Sequence, residues 1–271
     1  MRPLTVGLWL QATPNLTRLD KERLLAARLG MTRTQLLTYP ETELNAATQS
    51  QLEHDVLALA DDMPLAYLLG AWEFYGLELK VSEDVLIPRP DTELLVDLVL
   101  ADAPQSARVL DLGTGSGAIA IAIKHNRPDL QVDATDLSKA ALRIAQANAK
   151  AHDAEIQFLQ GSWFEPVCQQ YDIIVSNPPY IAEADTHLPQ LRHEPITALT
   201  ADVDGLSDLR LITTQATKHL RRAGHCLVEH GWTQGPAVRD LFTQHGYSAV
   251  ATHRDLADHE RVTCGTWTGD V

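Results

Sequence analysis

From residue 107 onward, short apolar runs alternate with helical stretches, and this alternation constrains the fold more than any other property of the chain. Segments 108–111, 131–136, 156–159, 171–176 and 225–229 have the length and apolar content of strands. Stretches such as 118–125 and 139–152 carry helical periodicity between them. Parallel neighbours need a crossover, and crossover helices cover both faces of a sheet, so the pattern predicts a doubly wound, mostly parallel sheet. Segments 247–252 and 261–267 add two strands joined by a polar turn too short for a crossover helix. The expected fold class is therefore α/β, a Rossmann-like, mostly parallel seven-stranded sheet that ends in an antiparallel pair.

The first quarter of the chain has a different period. Leu19, Leu24, Leu25 and Leu29, then Leu36 and Leu37, then Leu52, Val56, Leu57 and Leu59 recur at helical spacing across residues 17–69. A small helical bundle is expected, with Thr32 and Thr48 as capping residues and Pro40 as a break. Near Ala71 the pattern becomes alternating, through Phe74, Leu77, Leu79 and Val81 with Gly76 at the turn, which predicts a β-hairpin. The prolines of residues 87–93 (IPRPDTE) keep the chain extended, and Asp91 is placed to cap a helix that begins near Thr92. The expected organisation is an N-terminal helical domain (1–70), a hairpin linker (71–90) and an α/β domain (91–271).

The chemistry concentrates where strands end. Asn177-Pro178-Pro179-Tyr180 follows the fourth run. The Asn177 side-chain oxygen and the Pro178 carbonyl give two acceptors on a backbone stiffened by proline, which suits a planar NH2 group, and Tyr180 offers a ring against which another planar group can lie. Asp111-Leu112-Gly113-Thr114-Gly115-Ser116-Gly117 closes the first run and opens a helix, and its glycines let a ligand approach the backbone. The dinucleotide fingerprint GxGxxG is not completed, because Gly113 and Gly115 are followed by Ala118. Asp136 ends the second run, where a carboxylate can accept from ribose hydroxyls, and Trp163 follows the third, where a ring can border a purine. Together these residues describe a site for S-adenosyl-L-methionine beside a site for an acceptor nitrogen.

Composition narrows the partners. A formal net charge of -14 repels phosphate backbones, so stable binding of nucleic acid is disfavoured. Cys168, Cys226 and Cys264 are odd in number and far apart, without metal-ligand spacing, and are expected to be reduced thiols in a protein that needs no metal. Residues 1–10 lack a leader's apolar region, and no run reaches the roughly 20 apolar residues of a membrane span, so the expected location is the cytoplasm. A monomer is expected.

Residues 87–93 (IPRPDTE), 111–117 (DLGTGSG) and 176–181 (SNPPYI), with Glu194-Pro195 and Glu229-His230-Gly231 downstream, resemble the PrmC/HemK release-factor glutamine methyltransferases over nearly the whole chain. The resemblance implies a class I methyltransferase domain behind a substrate-recognising N-terminal domain. It further implies transfer of a methyl group to the side-chain nitrogen (N5) of the glutamine in the Gly-Gly-Gln motif of class-1 peptide chain release factors. By position, Gly113, Thr114, Gly115, Ser116, Gly117, Asp136, Trp163 and Asn177 would bind the methyl donor, which leaves as S-adenosyl-L-homocysteine. Asn177, Pro178, Pro179 and Tyr180 would hold the glutamine, with Asn177, Pro178 and Tyr180 acting in transfer. His193 and His230 are expected to pack rather than react, and Glu194 to orient the loop. The alternatives are a nucleic-acid amino methyltransferase acting on adenine-N6 or guanine-N2, with the base flipped out of its stack, and a non-catalytic adapter for a translation factor.

Overall fold

The computed structural model describes residues 3–12 and 16–269. Met1 and Arg2, from the stretch read above for a leader signal, lie outside them, as do Asp270 and Val271. The chain divides into two units, Met1–Gly70 and Ala71–Val271.

The first unit is helical: α1 (Val6–Ala12), α2 (Arg18–Leu29), α3 (Arg33–Thr38), α4 (Ala46–Ala60) and α5 (Leu65–Leu69). Val6, Trp9, Leu24, Leu25, Leu36 and Leu52 form its core. The helix starts are specified locally. Thr32 closes a capping box with Gln35, and Gly30 ends α2 in the left-handed conformation. The cap of α4 is Asn45, whose side chain accepts from Thr48 N at 2.9 Å, so Thr48 stands inside the helix instead of capping it. Leu19, Leu37 and Leu57 are periodic but exposed. Two buried acids are neutralised by arginines: Glu22 by Arg33 and Arg18, which hold its carboxyl below the usual range, and Asp55 by a bidentate Arg28.

The second unit opens with an antiparallel hairpin, β1 (Ala71–Phe74) and β2 (Leu77–Lys80), whose Phe74, Leu77 and Leu79 enter the core. A short 3₁₀ turn at Pro90–Thr92 precedes α6 (Glu93–Asp102). Asp91 lies within that turn and makes an ion pair with Arg261 at 3.2 Å, so it is not the cap expected from its position before Thr92. Then follow β3 (Arg108–Leu112), α7 (Ala118–Asn126), β4 (Gln131–Asp136), α8 (Lys139–Ala151), β5 (Ile156–Gln160), β6 (Tyr171–Ser176), α9 (Ser207–His219), β7 (Leu220–Glu229), α10 (Gly235–Gln244), β8 (Tyr247–Arg254) and β9 (Glu260–Trp267).

The seven strands lie in the order β5-β4-β3-β6-β7-β9-β8. All pairs through β7 are parallel, and β9 runs antiparallel to both β7 and β8, as the expected final pair requires. Side chains alternate faces along each strand. Val109, Ile173 and Val175 pack with Ile119 and Ile121 of α7 and with Val96 and Val99 of α6. Leu110, Ile174 and Cys226 pack with Ile212 of α9 and Val238 and Phe242 of α10. Each buried aliphatic side chain contributes about 1.5–3 kcal/mol against exposure, so both faces must be covered for the sheet to persist. β7 begins earlier than its apolar run because Leu220 already pairs with Tyr171, after which residues 221–224 bulge before His225 resumes the register with Ile173. No helix among the described residues is long and apolar enough to cross a membrane.

Asn148, buried on α8, ties the hairpin to the glycine turn. Its Oδ1 accepts from Lys80 N at 2.8 Å, and its Nδ2 donates to Lys80 O at 3.0 Å and to Ser116 O at 2.9 Å. Asn148→Leu would orphan three backbone groups, and we expect it to lower the unfolding free energy by about 2–4 kcal/mol. Urea unfolding measures this, and a loss below about 1 kcal/mol would mean that water replaces the amide.

Candidate active site

Gly113 follows β3 with φ 69°, and a Cβ there would lie 3.1 Å from the Trp163 ring. The missing side chain is what allows the indole to close over the turn. Gly117, with φ 85°, opens α7 where a Cβ would meet Ile121 Cδ1 at 2.8 Å, so its role is packing between α7 and α8. The turn is pinned by Thr114 N donating to Thr135 O at 2.9 Å and by Gly115 N donating to Asp136 Oδ2 at 2.8 Å. The other Asp136 oxygen accepts from Ser138 N at 2.8 Å. The cap of α8 is Ser138 itself, which accepts from Ala141 N, so Asp136 does not cap the helix that follows it. It joins the carboxyl ends of β3 and β4.

A cleft of about 540 Å³ lies over this edge. Gly113, Gly115, Asp136, Trp163, Asn177 and Pro179 all line it. Thr114, Ser116 and Gly117 do not line it and support the turn from below: Thr114 and Ser116 are buried, and Thr114 Oγ1 donates to Asp111 Oδ2 at 2.6 Å. Pro178 is buried and Tyr180 half-buried, both off the cleft wall. The wall carries four carboxylates, those of Glu83, Asp84, Asp136 and Asp208, and no lysine, arginine or histidine. Burial pushes the Asp136 and Asp208 carboxyls up, and the Trp163 indole N–H faces Asp208 and partly offsets that rise. Such a lining favours a cationic ligand.

Asn177 leaves β6 at the point where the strand order reverses, since β3 pairs with β4 on one side and β6 on the other. Its Nδ2 donates to Thr92 Oγ1 at 3.1 Å. The Tyr180 hydroxyl donates to Glu229 Oε1 at 3.2 Å, and the Tyr180 carbonyl accepts from Gln234 Nε2 at 3.1 Å. Glu194 is buried and grips the proline-rich segment, with Oε2 accepting from Ile87 N at 3.2 Å and Oε1 paired with Arg89. Both of its oxygens thus hold the 87–89 segment, whereas the sequence pointed to the Asn177 loop. His230 is fully buried, with Nδ1 at 2.9 Å from Gly231 O and Nε2 at 2.9 Å from Thr263 Oγ1, and desolvation lowers its pKa. Both ring nitrogens are used in packing.

Asp208 is absent from the residues singled out by sequence, and Thr92 and Glu229 entered there only as parts of the 87–93 and 229–231 motifs, without a role at the site. Asp208 sits in the first turn of α9, away from any motif. Glu229 had a usable signal, since it is an acid at the carboxyl end of a strand next to the site.

Known proteins place these features. The PrmC N-terminal domain model matches residues 10–70, and the methyltransferase small domain model matches residues 90–201. The release factor glutamine methyltransferase of Coxiella burnetii is 45% identical over 249 residues, 90% of each chain. That of Escherichia coli is 46% identical over 256 residues, 92% of each chain. Among solved structures, a methyltransferase from Pyrococcus furiosus superposes with a TM-score of 0.57 at 16% identity, covering 83% of this chain and 100% of that one, which shows a shared fold.

Asp111 lies under the turn with no exposure, and burial raises its carboxyl from 3.8 to about 7 despite the bond from Thr114. The folded state therefore keeps a proton that the unfolded state releases between these values, and stability is lost as pH rises through about 7. Asp111→Asn should gain stability relative to the unsubstituted protein as pH rises from 5 to 7, by up to about 1.4 kcal/mol per pH unit. Urea unfolding without ligand at each pH reads the difference, which a flat profile would contradict.

Proposed function

The chain belongs to the release factor glutamine methyltransferase family, and from that membership we propose that it methylates the side-chain nitrogen (N5) of the glutamine in the Gly-Gly-Gln motif of class-1 peptide chain release factors. The observation that carries this reading is the meeting of the Asn177-Pro178-Pro179-Tyr180 loop with an acidic cleft at the switch point of the sheet. The residues fit S-adenosyl-L-methionine. Gly113 and Gly115 leave backbone accessible in the cleft, and Asp136 stands at its edge with lone pairs for ribose hydroxyls. Trp163 provides a flat wall, and the four carboxylates suit a positive charge. When bound, this cofactor supplies an electrophilic methyl group on a sulfonium and departs as S-adenosyl-L-homocysteine.

The protein's own residues must then solve a problem of nucleophilicity. A glutamine nitrogen shares its lone pair with the adjacent carbonyl and is a weak nucleophile. Asn177 Oδ1 and the Pro178 carbonyl accept its two hydrogens, which fixes the orientation of the nitrogen and stabilises the positive charge that builds there. Pro179 and Pro178 hold both acceptors rigid, and Tyr180 supports the loop through Glu229 and Gln234. The proton leaves after transfer, so no strong general base is required. The N-terminal helical domain is assigned to recognition of the release factor. The net charge of -14 favours a basic protein over nucleic acid as partner.

Incubation with labelled methyl donor and, separately, a class-1 release factor, DNA or RNA should label only the release factor, with mass spectrometry placing the methyl on the motif glutamine. Label in DNA or RNA alone would assign the acceptors to a nucleobase. Asn177→Ala should lower kcat roughly 10²–10³-fold, the cost of losing a charge-stabilising polar group, with a smaller change in donor affinity than the loss of Asp136 causes. Asp136→Ala should do the reverse and weaken donor binding, read by calorimetry as a raised Kd.

A further inference from the structure

An asparagine amide can turn over, and its two orientations have opposite consequences here. With Oδ1 toward the substrate Asn177 is an acceptor for an NH2 group; with Nδ2 there it would repel one. Nothing in the tetrapeptide decides between them. What faces the other side of the amide does.

Asn177 Nδ2 meets Thr92 Oγ1 at 3.1 Å, but a hydroxyl can donate or accept and so fixes nothing by itself. Thr92 is buried beside the Glu229 carboxyl, which is 1% exposed at the end of β7. Glu229 Oε1 accepts from Tyr180, Oε2 is buried with no hydrogen-bond partner among the described residues, and the Thr92 hydroxyl acts on this carboxyl. An ionised carboxylate only accepts. It therefore draws the single Thr92 hydrogen, and Oγ1 turns a lone pair toward Asn177.

We propose that Thr92 and Glu229 are positioning residues for the transfer: the carboxylate commits the Thr92 hydrogen, and the Thr92 lone pair holds Nδ2 of Asn177 so that Oδ1 faces the substrate nitrogen. This rests on the proposed reaction at an amide nitrogen. The relay also carries a pH dependence. Burial raises Glu229 from 4.5 to about 7, opposed by Thr92, by Arg261 and by Tyr180, with Asp91 adding to the rise. A protonated Glu229 becomes a donor, Thr92 is freed to donate to Asn177 Oδ1, and the amide turns. Activity is therefore lost as pH falls through about 7.

At pH 8, Thr92→Val, which keeps the shape and removes the hydroxyl, should lower kcat roughly tenfold to a hundredfold at unchanged donor Kd, and Thr92→Ser should restore most of it. Wild-type kcat in Thr92→Val would overturn the relay. Glu229→Gln should abolish the fall in kcat between pH 8 and pH 6; the same fall in that variant would remove Glu229 from it. Neutron diffraction of deuterium-exchanged crystals at pH 8 reads the orientation without turnover. Nδ2 deuterons directed at Thr92 are expected, and Oδ1 in their place overturns the proposal. A wild-type protein that labels no glutamine would instead refute the proposed function, and the neutron result would still decide the orientation.

Discussion

Parallel strands must be re-entered from the same end, so the chain leaves β3 and returns to β4 on one side, while β6 arrives on the other. The connections at that edge diverge, and a crevice opens over the carboxyl ends of the three strands. The glycine turn, Asp136 and Asn177 reach the crevice through that arrangement. The glycine turn leaves β3, Asp136 ends β4, and Asn177 leaves β6. Asp136 closes the frame by accepting from Gly115 N, which fixes the turn to the neighbouring strand end at 2.8 Å. A substitution that shifted β3 against β4 by one residue would turn their buried side chains to the opposite faces and detach that contact at once.

Two carboxyls lie fully buried beneath this edge, Asp111 under the turn and Glu229 under the Asn177 loop, and burial raises both to about 7. Apolar residues of the same volume would cost less. Each acid is bonded to a hydroxyl that belongs to the site or its support, Thr114 in one case and Tyr180 in the other. Hydroxyls bonded to an acid lose their freedom to rotate, which pre-organises the groups above them. The first unit treats its buried acids differently, pairing Glu22 and Asp55 with arginines. The arginine bonds hold the Glu22 carboxyl below its usual range, whereas burial lifts Asp111 and Glu229 toward neutral pH and the bonds from their hydroxyl partners only partly offset that rise.

The sheet was legible because its strands are dense apolar runs: 131–136 and 171–176 match β4 and β6 residue for residue. Local signals failed where a neighbour in space decided the outcome. β7 starts at Leu220 only because Tyr171 is there to pair with it. Asn45 caps α4 in place of Thr48 because two capping-type residues three apart compete, and the first of them is the one in extended conformation. Asp91 lost its capping role once the chain entered a 3₁₀ turn at Pro90. The motif residues at the cleft were readable as strand-end chemistry, whereas Thr92 and Glu229 contact Asn177 and Tyr180 across 85 and 49 residues, a relation no spacing encodes.

Binding and rate enhancement fall to different groups in this site. The acidic wall of Glu83, Asp84, Asp136 and Asp208 favours positive charge inside the cleft before any transfer. Groups that hold a cation in the ground state do not by that means lower a barrier, since only interactions that strengthen toward the transition state do so. Under the proposed reaction, positive charge develops at the substrate nitrogen, where the acceptors are Asn177 Oδ1 and the Pro178 carbonyl. Those two strengthen as the charge arrives, and their value depends on being aimed before it does. Aim costs little at the Pro178 carbonyl, since its ring fixes φ and the following Pro179 restricts the ψ that points the carbonyl. At Asn177 a free amide would have to be frozen for each turnover, and a hydroxyl already committed to a buried acid removes that cost in advance. The rigidity behind the tetrapeptide is thus as much a part of the rate as the acceptors themselves.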